Sequence, residues 1–142
     1  MKSIRQVLQG KTGSLVTVTP NETVFAALEK MAAQDVGALL VMDGERLAGI
    51  FSERDYARKL TLAGKNSKDT TVGSIMTEKI FYVTPTQQVS ECLALMTEKH
   101  FRHLPVMENG KVLGVVSIGD LVKHKIAEQS FIIEQLERYV TS

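Results

Sequence analysis

Sliding the 142-residue sequence against itself by 65 positions aligns residues 18–58 with 83–123 without a gap. Twelve of the forty-one pairs are identical: Val18/Val83, Thr19/Thr84, Pro20/Pro85, Val24/Val89, Leu28/Leu93, Met31/Met96, Leu39/Leu104, Val41/Val106, Met42/Met107, Gly49/Gly114, Ser52/Ser117 and Asp55/Asp120. Most are apolar or turn residues, the positions that specify a fold. A chain with this period has to build one supersecondary unit twice and bury the two together.

Both copies predict the same order of elements. A short strand (Leu15–Val18; Phe81–Val83) stops at Thr-Pro, because proline cannot donate to a ladder. A helix follows over Val24–Gln34 and Val89–Lys99, with Val24, Leu28, Met31 and Val89, Leu93, Met96 at i, i+4, i+7 on one face. Two strands come next, Ala38–Met42 with Leu47–Phe51, and Leu104–Met107 with Val112–Val116. Between them "DGER" and "ENGK" provide the Asp-Gly and Asn-Gly pairs that adopt the positive φ of a tight hairpin. A second helix begins at the serine.

One β-α-β-β-α unit of about sixty residues has a marginal core, and two copies packed sheet against sheet remove that weakness. The fold class expected is therefore α/β in the α+β sense: two repeats about a pseudo-twofold, sheets together and helices outside. The polar run "AGKNSKDTT", residues 63–71, reads as the linker, dividing the chain into 1–71 and 72–142.

Composition narrows the function classes. With 44% apolar and 23% charged residues the chain is of globular type, and a net charge of +1 offers no basic field for nucleic acid. A single cysteine, Cys92, excludes an internal disulfide framework and fits a reducing compartment. "MKSIRQVLQGKTG" lacks the apolar segment of a signal peptide, and no stretch approaches the roughly 20 apolar residues of a membrane span. A cytoplasmic protein is expected.

The chemistry concentrates in "GIFSERD", Gly49 to Asp55, and its echo "GVVSIGD", Gly114 to Asp120. Ser-x-x-Asp after an apolar run is a helix start, the hydroxyl capping an orphan N–H and the acid lying in the first turn. The same residues form a ligand site equally well. A fixed carboxylate accepts charge-assisted bonds from the two hydroxyls of a ribose, and phosphate sits well at a helix N-terminus. Both readings stay open at this stage.

"VTP" with "VGALLVMDGERLAGIFSERDYARK", then "VTP" with "FRHLPVMENGKVLGVVSIGDLVK", resembles a CBS-domain pair over nearly the whole chain, of the small stand-alone bacterial type. The resemblance implies a regulatory sensor, not an enzyme, that binds an adenosine-type ligand (AMP, ADP, ATP, NAD or S-adenosylmethionine) in a cleft between the repeats. It puts Asp55 and Asp120 on ribose, and Ser52 and Ser117 near phosphate. By the same resemblance Arg102 and His103 serve the Asp55 site, while Arg54 crosses to the Asp120 site. Lys11, in "GKTGS", is a further candidate for phosphate, and Val16, Ile80, Tyr82, Phe51 and Val116 are candidates to line an adenine slot. His100 and His103 have no third ligand beside them to make a metal site. Cys92, beside Leu93 and Met96, reads as a core thiol.

The copies differ at their ends. The second helix of copy one stops near Gly64, whereas in copy two Ile118, Leu121, Val122, Ile126, Ile133, Leu136 and Val140 continue an apolar stripe to the C-terminus. Such a stripe is covered either by the chain's own core or by a second subunit. CBS pairs commonly associate as homodimers, which favours the second. No nucleophile, base and acid fall together as an enzyme requires. The alternative function is a ligand-free protein–protein interaction scaffold, and the regulated partner is unnamed by the sequence.

Overall fold

The duplication reappears in the computed structural model, which describes residues 2–11 and 15–141, as two compact units of mixed α+β structure. One unit is Ser14–Phe81. The other joins Met1–Gly13 to Tyr82–Ser142. Packing thus departs from the division at residue 71: the N-terminal segment folds with the second repeat, and residues 72–81 stay with the first.

In the Ser14–Phe81 unit the sheet order is β1 (Thr17–Val18), β2 (Ala38–Asp43), β3 (Arg46–Ser52). Strand β1 runs parallel to β2, as a helical crossover requires, and β2 pairs antiparallel with β3. The crossover is α2, Val24–Gln34, capped by the Thr23 hydroxyl, which accepts from the Ala26 N–H at 3.1 Å. Val24, Ala27 and Met31 face the sheet and join Val18, Leu39, Val41, Phe51 and Leu60 in the core. Glu53–Asp55 forms a single helical turn, α3, which continues as a π-helical stretch over Tyr56–Thr61.

A short helix that the sequence reading omitted, α4 (Val72–Ile75), completes this core with Val72 and Ile75. It is tied down by the Val72 N–H donating to the Glu22 carbonyl and the Gly73 N–H to that of Pro20, both at 2.9 Å. Just beyond it, Thr77 bridges Ile50 with two backbone bonds of 2.8 and 3.0 Å. Gly49 lies directly beneath. A Cβ there would come within 2.7 Å of the Met76 sulfur and 2.8 Å of the Thr77 carbonyl.

The second unit has its own version of each device. Helix α1, Ile4–Gln9, takes the place that α4 takes in the first: Ile4 and Arg5 donate to the Gln87 and Pro85 carbonyls at 2.9 and 3.0 Å, and Leu8 covers Gly114. "SIRQVL" and "TVGSIM" match as Ser3/Thr71, Ile4/Val72, Val7/Ile75 and Leu8/Met76, at an offset of 68 instead of 65. Helix α5, Val89–Lys99, and the hairpin of β4 (His103–Glu108) and β5 (Lys111–Ser117) follow. The hairpin turn Asn109-Gly110 has positive φ at both residues, the two-residue turn that matches strand twist, and its counterpart has positive φ at Gly44. Both hairpins carry a bulge at the same place, between Val41 and Met42 and between Val106 and Met107.

Two predicted strands are shorter than expected. Leu15–Val18 is reduced to Thr17–Val18, and Phe81–Val83 to one parallel bridge between Val83 and Val106. The second has a clear cause. Val83 donates to the Pro105 carbonyl, but extending the ladder one step back needs an N–H on residue 105, and proline has none. In copy one that position is Leu40.

Helix α6 runs over Ile118–Thr141, about 36 Å at 1.5 Å per residue. Its start packs on α5, α1 and β5, burying Leu121. From Ile126 onward its large apolar side chains are exposed, so the chain's own core is not what covers the stripe. Among the described residues no helix is long and apolar enough to cross a membrane.

Candidate functional site

Both Ser-x-x-Asp motifs fold as helix caps, and their environments differ. At Ser52 the backbone is extended (φ −127°, ψ 166°), and its hydroxyl accepts from the Asp55 N–H at 3.2 Å. Asp55 Oδ2 accepts in return from the Ser52 N–H at 3.0 Å and from its hydroxyl at 3.1 Å. The other oxygen, Oδ1, accepts from the Thr77 hydroxyl at 2.9 Å and lies 3.0 Å from Lys59 Nζ. Both oxygens are engaged, and the side chain is only 7% exposed. This carboxylate is a structural knot joining β3, α3 and the segment after α4.

At the second motif the Ser117 hydroxyl accepts from the Asp120 N–H at 3.1 Å, and Asp120 Oδ2 accepts from the Ser117 N–H at 2.9 Å. The same Oδ2 takes a 2.8 Å bond from Lys11 Nζ, which also donates to the Val115 carbonyl at 2.8 Å. The Asp120 side chain is 28% exposed, four times the fraction of Asp55. Burial pushes the Asp120 carboxyl up, but the hydrogen bond from Lys11, that from the Ser117 amide and the Lys11 charge outweigh it, so it titrates below the usual carboxylate range. The result is a partly open, ionised carboxylate at the start of a 24-residue helix.

The remaining candidates divide by unit. Arg102 is exposed just before β4, its carbonyl accepting from the Ile118 N–H at 2.8 Å, and His103 opens β4 opposite Ser117 in register. Those two belong to the same unit as Asp120 and Lys11. Arg54 is an exposed residue of α3 beside Asp55. Of the proposed adenine lining, Val116 and Phe51 are wholly buried in their cores and present no surface to a ring. Val16 and Ile80 are half-buried in the first unit, and Tyr82 is 56% exposed in the second.

Sequence reasoning missed Lys59 and Thr77 around Asp55. The signal for Lys59 was present, since a lysine four residues after an aspartate on one helix face is a common pair. Lys11 was read as a phosphate contact, and the fold places it on Asp120, 109 residues away in sequence. Cys92 is buried, and desolvation pushes its thiol up to about 11, which leaves it no nucleophilic character near neutral pH.

Comparison with known proteins bears on the whole chain. The CBS domain model matches twice, at residues 5–61 and 72–127. The mitochondrial CBS domain-containing protein CBSX3 of Arabidopsis thaliana is 41% identical over 133 residues, covering 90% of this chain and 65% of that protein, so the chain spans less than two thirds of that relative. CBS domain-containing protein YhcV of Bacillus subtilis (strain 168) is 28% identical, with 92% and 90% of the two chains covered. A solved structure of a protein with CBS domains from Burkholderia ambifaria superposes with a TM-score of 0.87 at 50% identity, covering 90% of this chain and 96% of that one.

Proposed function

Because the chain belongs to the CBS-domain family and carries two copies of that domain, we propose that it is a non-catalytic regulatory protein that binds an adenosine-type ligand through Asp120. AMP, ADP, ATP, NAD and S-adenosylmethionine all present the ribose diol this carboxylate suits. The observation that carries the reading is the contrast between the two aspartates: Asp120 is 28% exposed and held by Lys11, whereas Asp55 is 7% exposed. A ribose hydroxyl reaches Asp120 without dismantling the cap, because the Ser117 amide keeps its bond to Oδ2.

Lys11 then has two roles. It holds the carboxylate ionised, and it is a cation for a phosphate at the start of α6, where the helix dipole favours an anion. Arg102 supplies further positive charge, His103 its imidazole, Ser117 its hydroxyl, and Tyr82 apolar surface for the purine. Ligand binding alters the output only by its differential affinity for two conformations of the protein. The listener is a separate regulated protein in the cytoplasm.

The test is thermal melting against a nucleotide panel. A ligand at a hundredfold excess over its dissociation constant stabilises by about 2.7 kcal/mol, several degrees for a chain of this length. The nucleotide recovered afterwards has unchanged mass, and turnover above background overturns the non-catalytic reading. A specific observation favours the scaffold reading as second choice: at Asp55 the Ser-x-x-Asp motif is fully occupied by the protein's own donors. On that reading no ligand moves the melting temperature.

A further inference from the structure

One step beyond the aligned region, at the same offset of 65, a basic side chain follows each motif aspartate by four positions: Lys59 after Asp55 and His124 after Asp120. Residues so spaced share a helix face, and an acid followed by a base is the favourable order. In the first unit this residue closes the site. Lys59 Nζ lies 3.0 Å from Asp55 Oδ1, the oxygen that also accepts from the Thr77 hydroxyl at 2.9 Å. In the second unit the bonds from the Ser117 amide and from Lys11 fall on Asp120 Oδ2, and Oδ1 is the counterpart of the oxygen that Lys59 takes.

His124 rests instead over the end of α1, where a Cβ on Gly10 would lie 3.9 Å from its Cε1 atom. It is half-buried there. Burial, then Lys2 and Lys123, push its imidazole below the ordinary value, and Asp120 pulls it back only in part. At pH 7 it is therefore neutral and has no charge to give Asp120.

The other charges on the elements packed at this end of α6 are placed elsewhere. Arg5 of α1 pairs with Glu108 at 3.0 Å, and Glu91 of α5 accepts from the Gln88 N–H at 3.1 Å. Glu98 and Lys99 are exposed in the last turn of α5, and Lys111 stands at the opposite end of β5 from Ser117. On α6 itself Lys125 adds a neighbouring positive charge, and Glu128 lies four residues on, in the less favourable order of base before acid. A proton on His124 thus creates a cation with Lys2 and Lys123 against it and Asp120 one helical turn behind it.

We infer that residue 124 gates the Asp120 carboxylate: neutral His124 leaves Oδ1 to a ribose hydroxyl, and protonated His124 turns from Gly10 to Oδ1 and closes Asp120 as Lys59 closes Asp55. This rests on the reading of Asp120 as the ligand-binding acid, and it gives that site a proton as antagonist. Binding then weakens as pH falls below the ordinary histidine value of about 6.5, in a range where Asp120 itself is still ionised.

Two measurements on the full chain separate the gate from the ligand. The first needs no ligand: the Asp120 carboxyl is titrated by carbon NMR in the native chain, His124→Gln and His124→Lys. His124 is charged where Asp120 titrates, so His124→Gln is expected to raise the midpoint by about half a pH unit and His124→Lys to keep it near the native value. One midpoint for all three overturns the inference. The second is AMP affinity at pH 7.5 and 5.5, the titration of AMP itself being common to the three proteins. Native binding is expected to fall about tenfold more than that of His124→Gln, and His124→Lys to bind about tenfold more weakly than native at pH 7.5. Equal pH dependence in native and His124→Gln also overturns the inference. Absence of AMP binding in all three counts against the Asp120 reading instead, and the NMR midpoints still decide the gate.

Discussion

Gly49 and Gly114 are identical in the duplication, yet the fold predicts different costs for replacing them with alanine. At Gly49 the new Cβ would meet the Met76 sulfur at 2.7 Å and the Thr77 carbonyl oxygen at 2.8 Å. The thioether can swing aside. The carbonyl cannot, because Thr77 is held to Ile50 by backbone bonds of 2.8 and 3.0 Å. Overpacking of this kind costs about 1–3 kcal/mol, and loosening one of the two bonds adds about 1 kcal/mol. Gly49→Ala is therefore expected to lose about 2–4 kcal/mol, a fall of roughly 5–15 °C in melting temperature. At Gly114 the close neighbour is the Leu8 Cδ2 atom at 2.9 Å, the flexible end of a half-buried side chain of α1, and a rotamer change relieves it. Gly114→Ala is expected to cost no more than about 1 kcal/mol. Urea unfolding of the two variants measures both values. A Gly114→Ala loss equal to or larger than that of Gly49→Ala refutes the assignment of Thr77 as the rigid wall.

Lys11→Met is expected to destabilise the protein by about 0.5 kcal/mol at pH 7, a value reduced for solvent screening of a partly exposed pair. Asp120 titrates lower folded than unfolded, so its contribution is complete above its unfolded pKa of about 3.9 and is lost as pH falls through the folded value. The gap between native and Lys11→Met proteins should accordingly close in urea melts taken from pH 5 down to pH 2.5, and a gap constant with pH contradicts the ion pair. Cys92 should react with an aromatic disulfide reagent at neutral pH only after denaturant is added, since it is buried with its thiol raised to about 11. Rapid labelling of the native protein would place it outside the core.

The sequence carried most of the secondary structure because the duplication constrained each element twice. Helices α2 and α5 and both hairpins stand where the repeat placed them. Asn109-Gly110 has positive φ at both residues as read, but in the first hairpin only Gly44 does, because Asp43 still pairs with Arg46 at the end of β2 and the loop is Gly44-Glu45. What escaped was set by tertiary geometry. The α1/α4 equivalence was hidden because the connection from this helix to the next strand is three residues longer in copy one, which moves the match from an offset of 65 to 68. The strand before Thr84 collapsed to a bridge because of Pro105, a residue on its future neighbour and not on the strand itself. At the site, two copies of one motif cannot reveal from their letters that one acid is enclosed by Thr77 and Lys59 and the other held open by Lys11.

The claim on which the functional reading stands is that Asp120 binds a ribose diol and is more than a helix cap. Isothermal titration of AMP, ATP, NAD and S-adenosylmethionine into the native chain, Asp120→Ala and Asp55→Ala tests it most directly. The account predicts that at least one of the four binds, that Asp120→Ala weakens it about tenfold to a hundredfold, and that Asp55→Ala acts mainly on stability. Binding by none of the four, or binding that Asp120→Ala leaves unchanged, would contradict it.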